Sequence, residues 1–164
     1  MDDAEDAAPP AHFSKLKRVQ ALFFIGIPGA GKSTFYRSRF FDTHLRINLD
    51  MLNTRRREAI LLRACIESKT RFVWDNTNPT RASRAPLLAE LQRAHFAAFA
   101  FYFEPDFAAS RARNLRRTGR ARVPDIGLKS VAAMLQPPSY DEGFAAIFSV
   151  WNRNEAGFEV RQWP

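Results

Sequence analysis

The sequence predicts an α/β fold, a parallel β-sheet covered by helices on both faces. Two observations lead there. Short apolar runs at residues 19–25, 45–49, 71–74 and 97–103 alternate with stretches of helical periodicity, and such alternation builds right-handed βαβ units around a parallel sheet. The first run also feeds straight into a glycine-rich turn that opens a helix, Gly26-Ile27-Pro28-Gly29-Ala30-Gly31-Lys32-Ser33-Thr34. The chain has 164 residues, 46% of them apolar, enough for one sizeable core.

Residues 1–12 hold Asp2, Asp3, Glu5 and Asp6, no Lys or Arg, and Pro9-Pro10. They read as a disordered acidic tail on a single domain spanning residues 13–164. The first strand covers 19–25, and the helix after the glycine turn runs over 32–41. A second strand begins at Leu45 and ends at Asp50. A long helix then reaches about residue 69, with Leu52, Ala59, Leu62 and Ile66 on one face and Arg55-Arg56-Arg57 elsewhere. The third strand ends at Asp75, before the polar turn Asn76-Thr77-Asn78-Pro79-Thr80.

Thr80 or Ser83 caps the next helix, because Pro86 is tolerated in a first turn. Leu87, Leu88 and Leu91 give that helix its core face. Residues 97–103 are nearly all apolar, as a central parallel strand requires. Pro105 suits the first position of the helix that follows. Six arginines lie between Arg111 and Arg122, interrupted by Gly119 and ended by Val123-Pro124. A helix with Leu128, Val131 and Leu135 stops at Pro137-Pro138. Residues 144–151 supply a last strand or edge element, and the amphipathic stretch from Asn152 has no assigned role.

Composition narrows the setting. Cys65 is the single cysteine, so no internal disulfide forms, and a cytoplasmic setting is the expectation. Cys65 sits among Ile60, Leu61, Leu62 and Ile66 and reads as a core residue. No apolar run reaches membrane-span length, so no membrane partner is expected. Net charge is +8, and setting the acidic tail aside leaves +12 on the body. A body this basic favours a polyanionic partner such as nucleic acid. Nothing in the pattern assigns an oligomeric state.

The turn at 26–34 matches G-x-x-x-x-G-K-S in its strand–turn–helix context. This defines a P-loop NTPase fold. Gly26, Gly29, Ala30 and Gly31 let backbone N–H groups converge on an anion at a helix N-terminus. Lys32 reaches the phosphates, Ser33 is the Mg²⁺ ligand, and Thr34 completes the ATP-binding set. Ligands of open α/β sheets bind beyond the carboxyl ends of the strands. There, Asp50 and Asp75 are candidates for the acceptor side of a phosphoryl transfer. Asp50 could instead cap the helix beginning at Met51. Asp75 could serve Mg²⁺ or water in the manner of a Walker B strand, and Asn76 and Thr77 could make turn hydrogen bonds. The arginines of 111–122 are a candidate lid, because clustered positive charges repel until an anion arrives.

These residues resemble the kinase domain of the 5′-OH polynucleotide kinases, especially the kinase module of the animal polynucleotide kinase–phosphatases. The likeness lies in the phosphate loop, Ile47-Asn48-Leu49-Asp50, Asp75-Asn76-Thr77-Asn78-Pro79, Ser83-Arg84-Ala85, Arg113-Asn114, Val123-Pro124 and the 138–144 block Pro-Ser-Tyr-Asp-Glu-Gly-Phe. It spans roughly residues 20–150. The resemblance implies ATP- and Mg²⁺-dependent transfer of the γ-phosphate to a 5′-hydroxyl end of DNA or RNA. It implies Asp50 as general base and an acceptor site holding Asp75, Asn76, Thr77, Arg84 and Asn53. It implies Arg117 or Arg116 as the lid arginine on the phosphates, with Arg113 beside the nucleotide.

Two departures concern the acceptor. Leu49 stands where the family usually has arginine, and Asn53 where phage members have arginine, with Arg55, Arg56 and Arg57 close behind as substitutes. No Asp-x-Asp-Gly-Thr phosphatase signature occurs, so no 3′-phosphatase activity is expected, and no ligase partner domain is recognised. Two other readings compete. One is a P-loop kinase of a small-molecule hydroxyl on a sugar, nucleoside or UDP-sugar. The other is a non-catalytic ATP-binding module.

Overall fold

The computed structural model describes residues 18–164, so the tail expected over 1–12 lies outside the described residues. Its centre is strand β1 (Gln20–Ile25), every residue of which is buried. Around it stand β2 (Leu45–Ile47), β3 (Phe72–Asp75), β4 (Ala97–Phe103), β5 (Ala146–Asn152) and β6 (Phe158–Gln162), in the order β2-β3-β1-β4-β5-β6. The first five strands are parallel, and β6 runs antiparallel to β5.

The helices are α1 (Lys32–Arg39), α2 (Leu49–Leu52), α3 (Arg55–Glu67), α4 (Arg81–Arg93), α5 (Phe107–Leu115) and α6 (Asp125–Met134). They cover both faces because the strands are apolar on both. Leu22 and Phe24 of β1 point to a layer with Phe35, Phe40, Phe101, Phe148 and Leu128. Ala21, Phe23 and Ile25 point to the opposite layer, with Cys65, Leu87, Leu88 and Leu91.

Phenylalanine fixes the helix that follows the glycine turn. The Phe35 ring lies 5.1 to 5.8 Å from the rings of Phe24, Phe40, Phe101, Phe103 and Phe158, mostly edge-on. Edge-to-face pairs add about 0.5–1.5 kcal/mol each beyond area burial. Helix α1 is therefore held against the sheet, and Lys32 and Ser33 in its first turn are held with it.

Several boundaries differ from the sequence expectation. Strand β2 stops at Ile47, and Asp50 lies inside α2. The long helix to residue 69 is two helices, because Asn53 turns left-handed (φ 66°) and Thr54 caps α3 afresh through Arg57 N. The inward face of α3 carries Glu58, Leu61, Leu62, Cys65 and Ile66, and Ala59 is exposed. Pro86 sits in the second turn of α4, which Thr80 caps with a reciprocal bond from Ser83. There the proline leaves the Ala82 carbonyl without its helical donor. Pro105 precedes the cap of α5, which is Asp106. The stretch after Asn152 returns as β6, a strand the sequence reading passed over. Its polar, partly exposed face hides a strand at a sheet edge.

Candidate active site

A cleft of about 240 Å³ opens where β1, β2 and β3 end. Pro28, Gly29, Lys32 and Ser33 line one wall, Asn48, Leu49, Asp50 and Arg55 a second, and Asp75, Asn76 and Thr77 the floor. Arg117 and Val123 close the far side. The position beyond the carboxyl ends of parallel strands is the one the fold reserves for ligands.

The glycine loop is shaped by close approach. A Cβ on Gly29 would stand 2.3 Å from the Ser110 carbonyl oxygen, and φ there is +81°. At Gly31 a Cβ would meet the Asn152 amide, and φ is +104°. Asn152 Nδ2 donates to Ala30 O at 3.1 Å, and Arg113 Nε donates to Gly29 O at 2.6 Å. The loop is thus clamped from behind by β5, β6 and α5. Arg113 grips the loop's carbonyl side and also reaches Asn154 Oδ1 at 2.9 Å. Gly26, Ala30, Gly31 and Thr34 build the loop and the start of α1 without lining the cleft.

Lys32 folds back over the loop, donating to Gly26 O at 2.7 Å and Ile27 O at 3.0 Å. Burial pushes its ammonium down to about 8. Asp75 and Asp50 oppose the shift, and Arg117 and Arg46 reinforce it. Two carboxylates and two guanidinium groups therefore act on one ammonium.

Asp50 is held by its neighbours. Asn48 caps α2 by accepting from Met51 N at 3.1 Å, and its Nδ2 donates to Asp75 O at 2.6 Å. Asn76 Oδ1 accepts from Leu49 N at 3.2 Å, while its Nδ2 donates to Glu58 Oε1 at 2.7 Å. Arg55 Nη1 completes the chain on Glu58 Oε2 at 2.8 Å. The Asp50 side chain is exposed and takes no hydrogen bond among the described residues. The cap of α2 is Asn48, which leaves the Asp50 carboxylate without that task.

Asp75 is 1% exposed and pairs with Arg46 on β2. Arg46 Nε donates to Asp75 Oδ2 at 2.7 Å, and Nη2 stands 2.6 Å from the same oxygen and 2.7 Å from Ser33 Oγ. The sequence reading missed Arg46. Its signal was an arginine in the middle of an otherwise apolar strand beside the glycine loop. Thr77 lines the floor, and its carbonyl accepts from Gly26 N at 3.1 Å. Buried Asn78 ties β1 to β3 through Phe24 O at 2.8 Å and Trp74 O at 3.2 Å.

Two expected acceptor residues lie away from the cleft. Arg84 is fully buried behind it, on Glu142. Asn53 is an exposed turn residue whose amide donates to Met51 O. Arg55, from the basic triplet, lines the cleft instead.

Five of the arginines between residues 111 and 122 divide their roles. Arg111 pairs with Asp125 of α6 at 2.6 Å, Arg113 holds the loop, Arg116 and Arg122 face solvent, and Arg117 lines the cleft. Asn114, fully buried, exchanges two hydrogen bonds with Val123, at 2.7 and 3.0 Å. That clasp closes the 115–122 segment on itself, where Arg117 Nη1 donates to Ala121 O at 3.5 Å and the side chain lines the cleft.

A strand-fed glycine loop, a lysine and serine opening α1, and acidic residues just beyond β2 and at the end of β3 define a P-loop kinase-type, nucleotide-binding domain. Residues 22–138 match the AAA domain family, and the chain belongs to that family. The chain is 28% identical over 148 residues to the bifunctional polynucleotide phosphatase/kinase of Schizosaccharomyces pombe, a match covering 86% of this chain and 36% of that protein. It thus spans about a third of that relative's length. Among solved structures it resembles Chaetomium thermophilum Kti12 in complex with ADP-AlF3 at a TM-score of 0.62 and 14% identity, covering 83% of this chain and 92% of that one. A gluconokinase from Sinorhizobium meliloti 1021 aligns at a TM-score of 0.53 and 16% identity, over 86% and 87%. These two likenesses bear on the fold. Among the described residues, no helix is long and apolar enough to cross a membrane.

Proposed function

We propose that the domain transfers the γ-phosphate of ATP to the 5′-hydroxyl end of a polynucleotide. The observation that carries the reading is Asp50, an exposed carboxylate lining the same cleft as Lys32, on a short helix whose backbone Asn48 and Asn76 tie down through Met51 N and Leu49 N. An oxygen acceptor needs a base within reach of its proton, and Asp50 is the candidate for that base. The polynucleotide kinase relative and the basic body support the acceptor class.

In this reading the acceptor oxygen bonds to the γ-phosphorus as the bond from that phosphorus to the β–γ bridging oxygen breaks. The acceptor proton passes to Asp50, and ADP leaves with the bridging oxygen. Lys32 swings from the two loop carbonyls to the phosphates, and Arg117 meets the charge on the transferring group. Asn76 and Thr77 line the acceptor side.

The donor set fits a divalent cation. Ser33 Oγ and Asp75 Oδ2 both lie within 2.7 Å of one guanidinium nitrogen, so both oxygens already face one positive centre. No group of three or more His, Cys, Asp or Glu stands together among the described residues, so phosphate oxygens and water would complete the coordination. Mg²⁺ held there by Ser33 would supply neutralisation of the phosphate charge.

The test is transfer of labelled phosphate from ATP to 5′-OH DNA and RNA oligomers, with sugars and nucleosides as competing acceptors. Transfer to oligomers, with an acceptor KM that rises steeply with salt, is the expected result. Transfer to a small hydroxyl compound without oligomer transfer would overturn the polynucleotide reading.

A further inference from the structure

Arg46 is placed unlike any other arginine whose side chain is among the described residues. It sits in mid-strand on β2 with its side chain 14% exposed. Its Nη2 donates to Ser33 Oγ at 2.7 Å and faces Asp75 Oδ2 at 2.6 Å. Its Nε holds the same Asp75 oxygen at 2.7 Å, and its Nη1 rests on Met51 Sδ at 3.4 Å. The guanidinium lies over the Tyr36 ring, 5.5 Å from the centroid. One cationic nitrogen thus bridges the hydroxyl that opens α1 and the buried carboxylate that ends β3.

We propose that Arg46 serves as the resident cation of the nucleotide-free site, and that a divalent metal–nucleotide complex must lift it from Ser33 to bind. A guanidinium and a divalent ion sharing one serine oxygen would repel strongly in a half-buried cleft. They are therefore alternatives at that oxygen. Arg46 need not leave Asp75 in the exchange, because a pivot of the planar guanidinium about its Nε bond to Asp75 Oδ2 carries Nη2 off Ser33. Asp75, almost fully buried, stays neutralised throughout. Met51 belongs to the short helix that carries Asp50, so withdrawal of Arg46 also alters a contact of that helix. The inference rests on the cleft as a nucleotide site and is independent of the acceptor.

The test measures binding of a fluorescent ADP to the full chain as Mg²⁺ is titrated, and again in EDTA. The variants are Arg46→Lys, Asp75→Asn and the double variant Arg46→Met/Asp75→Asn. The double variant avoids stranding a buried carboxylate, and circular dichroism confirms its fold. Removing Arg46 from the Asp75→Asn background should lower the Mg²⁺ midpoint about fivefold. Arg46→Lys, which keeps the positive charge, should stay near the wild-type midpoint. Equal midpoints in Asp75→Asn and the folded double variant would overturn the proposal and leave Arg46 as the ion-pair partner of Asp75. If ADP binds as expected but no oligomer is phosphorylated, the acceptor reading fails and this one stands.

Discussion

Arg84 and Glu142 form an ion pair out of reach of solvent: Nε and Nη2 of Arg84 meet the two carboxylate oxygens of Glu142 at 2.8 and 2.7 Å. The side chains are 0% and 2% exposed. The remaining Arg84 nitrogen, Nη1, donates to Asn78 O and Gln136 O at 3.1 and 3.0 Å. Arg84 thereby locks the turn after β3 to the chain that follows α6. Arg84→Met should cost about 3–5 kcal/mol in denaturant unfolding, the usual penalty for stranding one member of a buried pair. The surviving folded fraction should keep its acceptor KM. A raised KM at unchanged stability would return Arg84 to the acceptor site.

If Lys32 meets the phosphates, it sets a pH limit on nucleotide loading. Its ammonium is buried and lowered to about 8, below the ordinary 10.5. Phosphates favour the charged form, so binding above pH 8 requires proton uptake. ATP affinity should hold below pH 8 and then fall by at most about tenfold per pH unit. Calorimetry in buffers of different ionisation enthalpy reads the proton directly. In the free protein the sign is opposite. The unfolded chain binds more protons between pH 8 and 10.5, so this residue's contribution to stability improves across that window, and its cost is fully present below pH 8.

The loop clamp can be separated from the loop itself. Gly29→Ala puts a Cβ 2.3 Å from Ser110 O at positive φ, so the loop must shift. Nucleotide affinity should fall at least about tenfold, in line with a strain of 1–3 kcal/mol. Asn152→Ala removes one hydrogen bond to Ala30 O and leaves the glycines in place. It should cost about 1 kcal/mol of stability, with a smaller loss of affinity.

Asn76 links Leu49 N to Glu58, and through them fixes α2. Asn76→Ala should lower kcat about ten- to a hundredfold through misplacement of Asp50, with the ATP KM nearly unchanged. An increase in acceptor KM at constant kcat would mean that Asn76 grips the acceptor instead.

Much of the cleft was legible in the sequence because strand ends are legible. An apolar run closing on a glycine loop or on Asp75 marks both a strand and its carboxyl end, and parallel topology then brings those ends together. Asp50 was found for the same reason, though it proved to lie on a helix one turn beyond its strand. What escaped depended on side-chain reach. Arg84 and Arg46 are both arginines near polar motifs. Their letters do not say that one points to Glu142, 58 residues on, and the other to Ser33 and Asp75. Strand β6 escaped because an edge strand is polar on one side. Its role, Phe158 packed against Phe35 of α1 beside the loop, appears only when the chain folds back.

The most direct measurement compares wild type and Asp50→Asn for transfer of labelled γ-phosphate to a 5′-OH oligonucleotide, alongside ATP binding. The exposed carboxylate makes no hydrogen bond among the described residues, so its loss should leave the fold and ATP affinity intact. If Asp50 takes the acceptor proton, kcat falls by about 10²–10⁴ while ATP binding holds. Transfer at the wild-type rate by Asp50→Asn would contradict the account.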